Sequence, residues 1–115
     1  MLDMAEGLGV PFIVIDELWL GFLLGGQVER NAKELQEFLD HPVVETLPLD
    51  LAVAQNYAEI VAALRRAGKP MPTNDVWIAA SAARAGATVV TFDAHFRDIS
   101  RVASLVLGPA GPWPK

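Results

Sequence analysis

A chain of 115 residues, 52% of them hydrophobic, has the length of one domain and enough apolar surface to bury a core, which excludes a disordered segment. Its formal net charge of −5 excludes binding to a nucleic-acid backbone by charge alone and fits a basic protein partner. The lack of cysteine excludes disulfides and thiolate zinc sites. No apolar run reaches the roughly 18–20 residues of a membrane span, and Asp3 and Glu6 break the pattern of a secretory leader, so a cytoplasmic protein is expected.

In chain order, the apolar, β-branched run Val10–Ile15 reads as a buried strand, with Pro11 near its start. A helix is expected from Asp16–Glu17 to Leu24, stopped by Gly25-Gly26. A second runs over Val28–Asp40, with Leu35, Phe38 and Leu39 on its apolar face. Val43–Leu47 is a short strand. Asp50 is placed to cap a long helix to Ala67, whose stripe is Val53, Tyr57, Ile60, Val61 and Leu64, with Gly68 at its end. Thr73 or Asn74 caps an alanine-rich helix, Asp75–Ala85, whose small face (Ala79, Ala80, Ala83) suits close packing on a sheet. Ala87–Thr91 is a strand, Phe92–Asp98 a turn and short helix, and Ser104–Leu107 a last strand. Strands alternating with helices imply a parallel sheet in an α/β fold. Met1–Gly9 is too short to hold another strand with its crossover helix.

Glu17, Asp75 and Asp93 each fall where a strand gives way to a helix or where a helix begins. Open α/β sheets place their ligands at such strand ends. Two carboxylates about 4 Å apart repel by roughly 4 kcal/mol at an effective dielectric near 20, so a shared Mg²⁺ or Mn²⁺ supplies a reason for the cluster. Each acid also has a plainer reading. Glu17 and Asp75 suit the positive end of a helix, and Asp93 suits a turn cap. Asp16 lies about 100° around the helix from Glu17, which points it to a cap or to solvent. His95 fits a turn or a proton shuttle. Arg65, Arg66 and Lys69 suit a helix C-terminus or a phosphate. Trp19, Phe22, Leu23 and Leu24 exceed one core face, which leaves core packing and partner contact both open.

Two segments carry a family resemblance. Pro70-Met71-Pro72-Thr73-Asn74-Asp75-Val76-Trp77-Ile78-Ala79-Ala80 with Gly86-Ala87-Thr88-Val89-Val90-Thr91-Phe92-Asp93-Ala94-His95-Phe96 resembles the C-terminal half of a PIN domain, most closely the VapC-type toxins of bacterial toxin–antitoxin pairs. Pro11-Phe12-Ile13-Val14-Ile15-Asp16-Glu17-Leu18 with Gly21 resembles that family's second strand and acidic helix. The resemblance implies a three-layer α/β/α fold with a parallel sheet over residues 1–108, followed by an irregular tail, 109–115. It implies that Glu17, Asp75 and Asp93 are catalytic metal ligands for Mg²⁺ or Mn²⁺, with Asn74 and Thr91 as supporting polar groups. It further implies an RNA substrate, a cognate antitoxin, a homodimer, and partner contacts through Trp19, Phe22 and Leu23. The family's first strand ends in an Asp, and this chain has no equivalent. Asp3 lies only 14 residues before Glu17. Met1–Val10 is therefore expected to be the end of the first crossover helix, with the first central strand missing and its place open to a partner segment. Two further readings differ in class: an inactive remnant that only binds a partner, and a phosphoacceptor receiver-like domain. The last wants a Lys after a late strand, and none lies between Lys69 and Lys115.

Overall fold

A computed structural model describes residues 1–91, 96, 98–99 and 102–106, with the backbone alone at 91, 105 and 106. The elements are β1 (Leu2–Met4), β2 (Gly7–Pro11), α1 (Phe12–Leu24), α2 (Val28–Leu39), β3 (Val44–Leu47), α3 (Leu51–Arg66), α4 (Thr73–Ala85), β4 (Thr88–Thr91) and β5 (Ser104–Val106). The five strands form one sheet in the order β3-β2-β1-β4-β5. β2–β3 and β4–β5 pair in parallel, while β1 is antiparallel to both neighbours. The α/β class with helix-flanked parallel pairing therefore stands, but the sheet is mixed.

The N-terminal expectation is corrected. Residues 2–11 are a hairpin, not the end of a helix, and β1 itself fills the central position. Leu2 is fully buried between Gly9 and Val89. Glycine disguised this strand pair, because Gly is depleted in strands and packs no side chain. Gly7 needs its backbone freedom: it has φ +153°, and a Cβ there would collide with the Val43 carbonyl oxygen. That carbonyl accepts the Leu8 N–H at 2.8 Å, which locks β2 onto the start of β3.

The expected strand Val10–Ile15 is also corrected, since β2 stops at Pro11 and α1 begins at Phe12. The ladder explains the difference. Pro11 pairs with Leu47, the last residue of β3, so Phe12 onward has no strand to bond on that side. A helix pairs its own backbone groups, and this outweighs the weak strand preference of Ile13, Val14 and Ile15.

The later elements match closely. The Asp50 carboxylate accepts from Val53 N–H at 2.9 Å and caps α3. At its other end Gly68 has φ +68°, Lys69 N–H bonds to Leu64 C=O at 2.9 Å and Gly68 N–H to Arg65 C=O at 3.2 Å, a Schellman close. Gly86, at φ +65°, ends α4. α4 starts at Thr73, two residues earlier than expected, with Pro72 before it and no side-chain cap. Ala79, Ala80 and Ala82 of α4 are fully buried with Leu2, Val53, Ile60, Leu64, Val89, Phe96 and Ile99 in one core. No helix among the described residues is long and apolar enough to cross a membrane.

Candidate functional site

β2, β3 and β4 run in one direction, so their carboxyl ends (Pro11, Leu47, Thr91) share one edge of the sheet. α1 leaves from that edge. α4 ends at Ala85, just before β4 starts, so its first turn lies toward the same edge. α1 and α4 touch. The start of α4 and the helix α1 thus both lie toward this carboxyl edge.

Asn74 is the second residue of α4 and exposed; Asp75 is the third and half-buried. Asp75 lies in the helix's first turn, where the unsatisfied N–H groups favour a carboxylate. This part of α4 is held by a stack of Trp77 on Tyr57 of α3, centroids 4.0 Å apart at 18°. Glu17 is exposed and is the sixth residue of α1. Its expected first-turn placement is corrected: α1 has no acid in its first turn, so the helix-end explanation of Glu17 no longer applies. Thr91 ends β4. Asp93 and His95 lie outside the described residues, but Phe96 is buried in the same cluster as Val76, the neighbour of Asp75.

Among the described residues no three His, Asp or Glu come together as a metal site. Glu17 and Asp75 nevertheless suit a hard cation by donor type. Mg²⁺ is commonly held by one or two carboxylates, with waters filling the rest of its shell. The Met1 α-amino group belongs to the electrostatics of this edge. Because β1 runs in reverse, Met1 sits beside Val90, whose N–H bonds to the Met1 carbonyl at 3.1 Å. Burial pushes the amine's pKa below its ordinary 8.0.

α1 carries a second feature. It is apolar nearly all round, yet none of its residues is buried. Leu20, Leu23 and Leu24 are 58%, 65% and 80% exposed, and the Trp19 and Phe22 rings meet at a tilt of 59°, centroids 5.9 Å apart. A helix apolar on every side is normally buried, so this one is an uncovered surface. Sequence reasoning placed Phe12, Ile13 and Ile15 in a buried strand and gave them no role. They line a cavity of ≈ 580 Å³ with Asp16, Leu39, Thr46 and Leu49. The signal was present in the apolar pattern, which resumes after Asp16-Glu17 in Leu18-Trp19-Leu20.

A mixed sheet with parallel pairing, flanked by helices, is the arrangement of a PIN-like α/β/α fold. The PIN domain model matches residues 1–102, and the chain belongs to this family, among its VapC-type members. It is 36% identical over 85 residues to ribonuclease VapC4 of Mycobacterium tuberculosis, covering 74% of this chain and 65% of the relative. It is 31% identical over 93 residues to ribonuclease VapC5 of the same organism, covering 81% and 69%. The chain thus spans about two thirds of the length of these relatives. The crystal structure of VapBC2 from Rickettsia felis, bound to a DNA fragment from its promoter, superposes with a TM-score of 0.79 at 26% identity, over 87% of this chain and 74% of that one.

Proposed function

We propose that this chain is a Mg²⁺- or Mn²⁺-dependent endoribonuclease, the toxin half of a toxin–antitoxin pair. The observation that carries the reading is Asp75, half-buried in the first turn of α4, with Glu17 on the touching helix α1. In this reading Glu17, Asp75 and Asp93 hold the ion, and Asn74 and Thr91 orient the carboxylates and the phosphate. Such an ion, when bound, polarises a phosphodiester and lowers the pKa of a water. The N-terminal end of α4 is a favourable place for a carboxylate. A chain of net charge −5 repels RNA, so the carboxylates recruit the substrate only through a cation.

The proposed partners are a cognate antitoxin and a second copy, received by α1 through Trp19, Phe22 and Leu23. The support is the exposure of this apolar helix. Leu23→Glu places a charge in that surface. It is expected to leave folding intact and to weaken neutralisation by the antitoxin, read as RNA cleavage that persists when antitoxin is added. Full neutralisation of the variant would remove α1 from the interface.

A second reading, an inactive remnant that only binds a partner, is favoured by β1. Its reversed direction puts Asp3 opposite Leu8 and Thr88, toward the amino ends of β2 and β4 and away from the edge where Asp75 lies. A cleavage assay separates the two. Incubated with RNA, the active chain is expected to cut in Mg²⁺ or Mn²⁺ and to stop in EDTA. Cleavage that continues in EDTA contradicts metal dependence. A folded chain that never cleaves but still captures the antitoxin establishes the remnant.

A further inference from the structure

Among the described residues β3 is an edge strand whose outer side pairs with no other strand. The bond from Leu8 N–H to Val43 C=O, with the register Leu8↔Val44 and Val10↔Thr46, fixes which backbone groups point inward. In a parallel pair they alternate, so Glu45 faces β2 while Val44 and Thr46 face away. The Val44 N–H is taken by His41 C=O at 3.0 Å. The Thr46 N–H and C=O and the Val44 C=O remain along the edge.

Two clefts of opposite character flank this short edge. On the Thr46 side is the apolar cavity of Phe12, Ile13, Ile15, Leu39 and Leu49. On the Glu45 side is a cleft of ≈ 390 Å³ that includes Glu6, Glu45, Pro42 and Val43, and Glu45 also borders an adjoining cleft in which Arg84 stands 3.9 Å from the Asp50 carboxylate. Neither Glu6 nor Glu45 has an ion-pair partner among the described residues. Successive residues of an added strand point to opposite faces. One therefore enters the apolar cleft and the next meets the carboxylates. Two copies of β3 paired with each other would bring their Glu45 side chains together, and like charges across strands oppose pairing. Pro42 and Pro48 flank the edge and also act against self-association.

We infer that β3 receives, as a sixth strand, an extended polypeptide segment in which apolar and basic residues alternate. Main-chain hydrogen bonds supply the affinity and the two clefts the selectivity. The inference does not depend on ribonuclease activity.

The test uses the full 115-residue chain and a capped octapeptide of alternating Leu and Lys, with amide exchange followed by NMR. Binding is expected to slow exchange of the Thr46 amide and to leave the amides of α3 unchanged. Glu45→Lys is expected to weaken binding by about tenfold, or roughly 1.4 kcal/mol. Thr46→Pro, at a position where an edge strand tolerates proline, is expected to do the same. Should Thr46→Pro unfold the strand, two N-methylated peptides give a readout on the unaltered protein. One is methylated at every Leu and the other at every Lys, and only one set of N–H groups faces β3. One peptide is then expected to bind about tenfold more weakly than the other. Equal binding by both, an unchanged affinity in Glu45→Lys, or slowed exchange confined to α1 would overturn the inference. So would Thr46 protection that grows with protein concentration in the absence of peptide, since that is self-pairing.

Discussion

Asp75→Asn is expected to reduce RNA cleavage by on the order of 10²–10³-fold, the range for removing one group that stabilises charge at a reacting centre. The substitution keeps the shape of the side chain and removes its charge. Its structural cost is expected to be small beside that loss, since placement at the N-terminus of α4 contributes about 1 kcal/mol or less and an amide at this position can still hydrogen-bond. Activity and stability should therefore separate: cleavage collapses while the unfolding midpoint barely moves. Asp93→Asn is expected to behave likewise. Glu37→Gln, on the exposed side of α2, is the control and should cleave as the parent does. If Asp75→Asn keeps activity within a few-fold of the parent, the carboxylate is a helix-end charge and the metal-site reading fails. If it unfolds the chain, Asp75 is structural.

The second large effect lies in the core. Leu2→Ala is expected to cost about 2–5 kcal/mol, as for other buried leucines cut back to alanine. Domains of this kind are stable by roughly 5–15 kcal/mol in all. Leu2 is fully buried on the central strand, packed with Val89 beneath α4. Its removal leaves a cavity lined by neighbours from β1, β4 and α4, which are held by the ladder and cannot easily collapse. Urea unfolding should show a lower midpoint with an unchanged slope. Asp3→Ala, on the exposed face of the same strand, should fall within about 0.5 kcal/mol of the parent. A Leu2→Ala change as small as that would mean that residues 2–4 do not hold the centre of the sheet.

Both predictions concern residues whose surroundings were unequally visible in the sequence. α3 and α4 were legible because their signals are local. Asp50 caps, Gly68 and Gly86 close the helices in the left-handed region, and the 3.6-residue spacing of Val53, Ile60 and Leu64 marks the buried stripe. Asp75 was legible for the same reason, as an acid at a helix start. The N-terminal third was not. Its strands are short and interrupted by Gly7 and Gly9, and its most strand-like run, Ile13–Ile15, is helical.

The sequence by itself determined the α/β class, the two helices closed by Gly68 and Gly86, and the acids proposed to hold a metal. Each depends on the chemistry of residues close in the chain. Only the tertiary structure decided where β2 ends, because that depends on the last residue of β3 that can pair with it. It alone decided that Leu2–Met4 occupies the middle of the sheet in reverse, since a strand's direction is set by partners as distant as Val89. It also decided that α1 is left uncovered and that β3 keeps an open edge between an apolar and an acidic cleft. Burial and edge position are properties of what packs beside a segment, and local sequence carries neither.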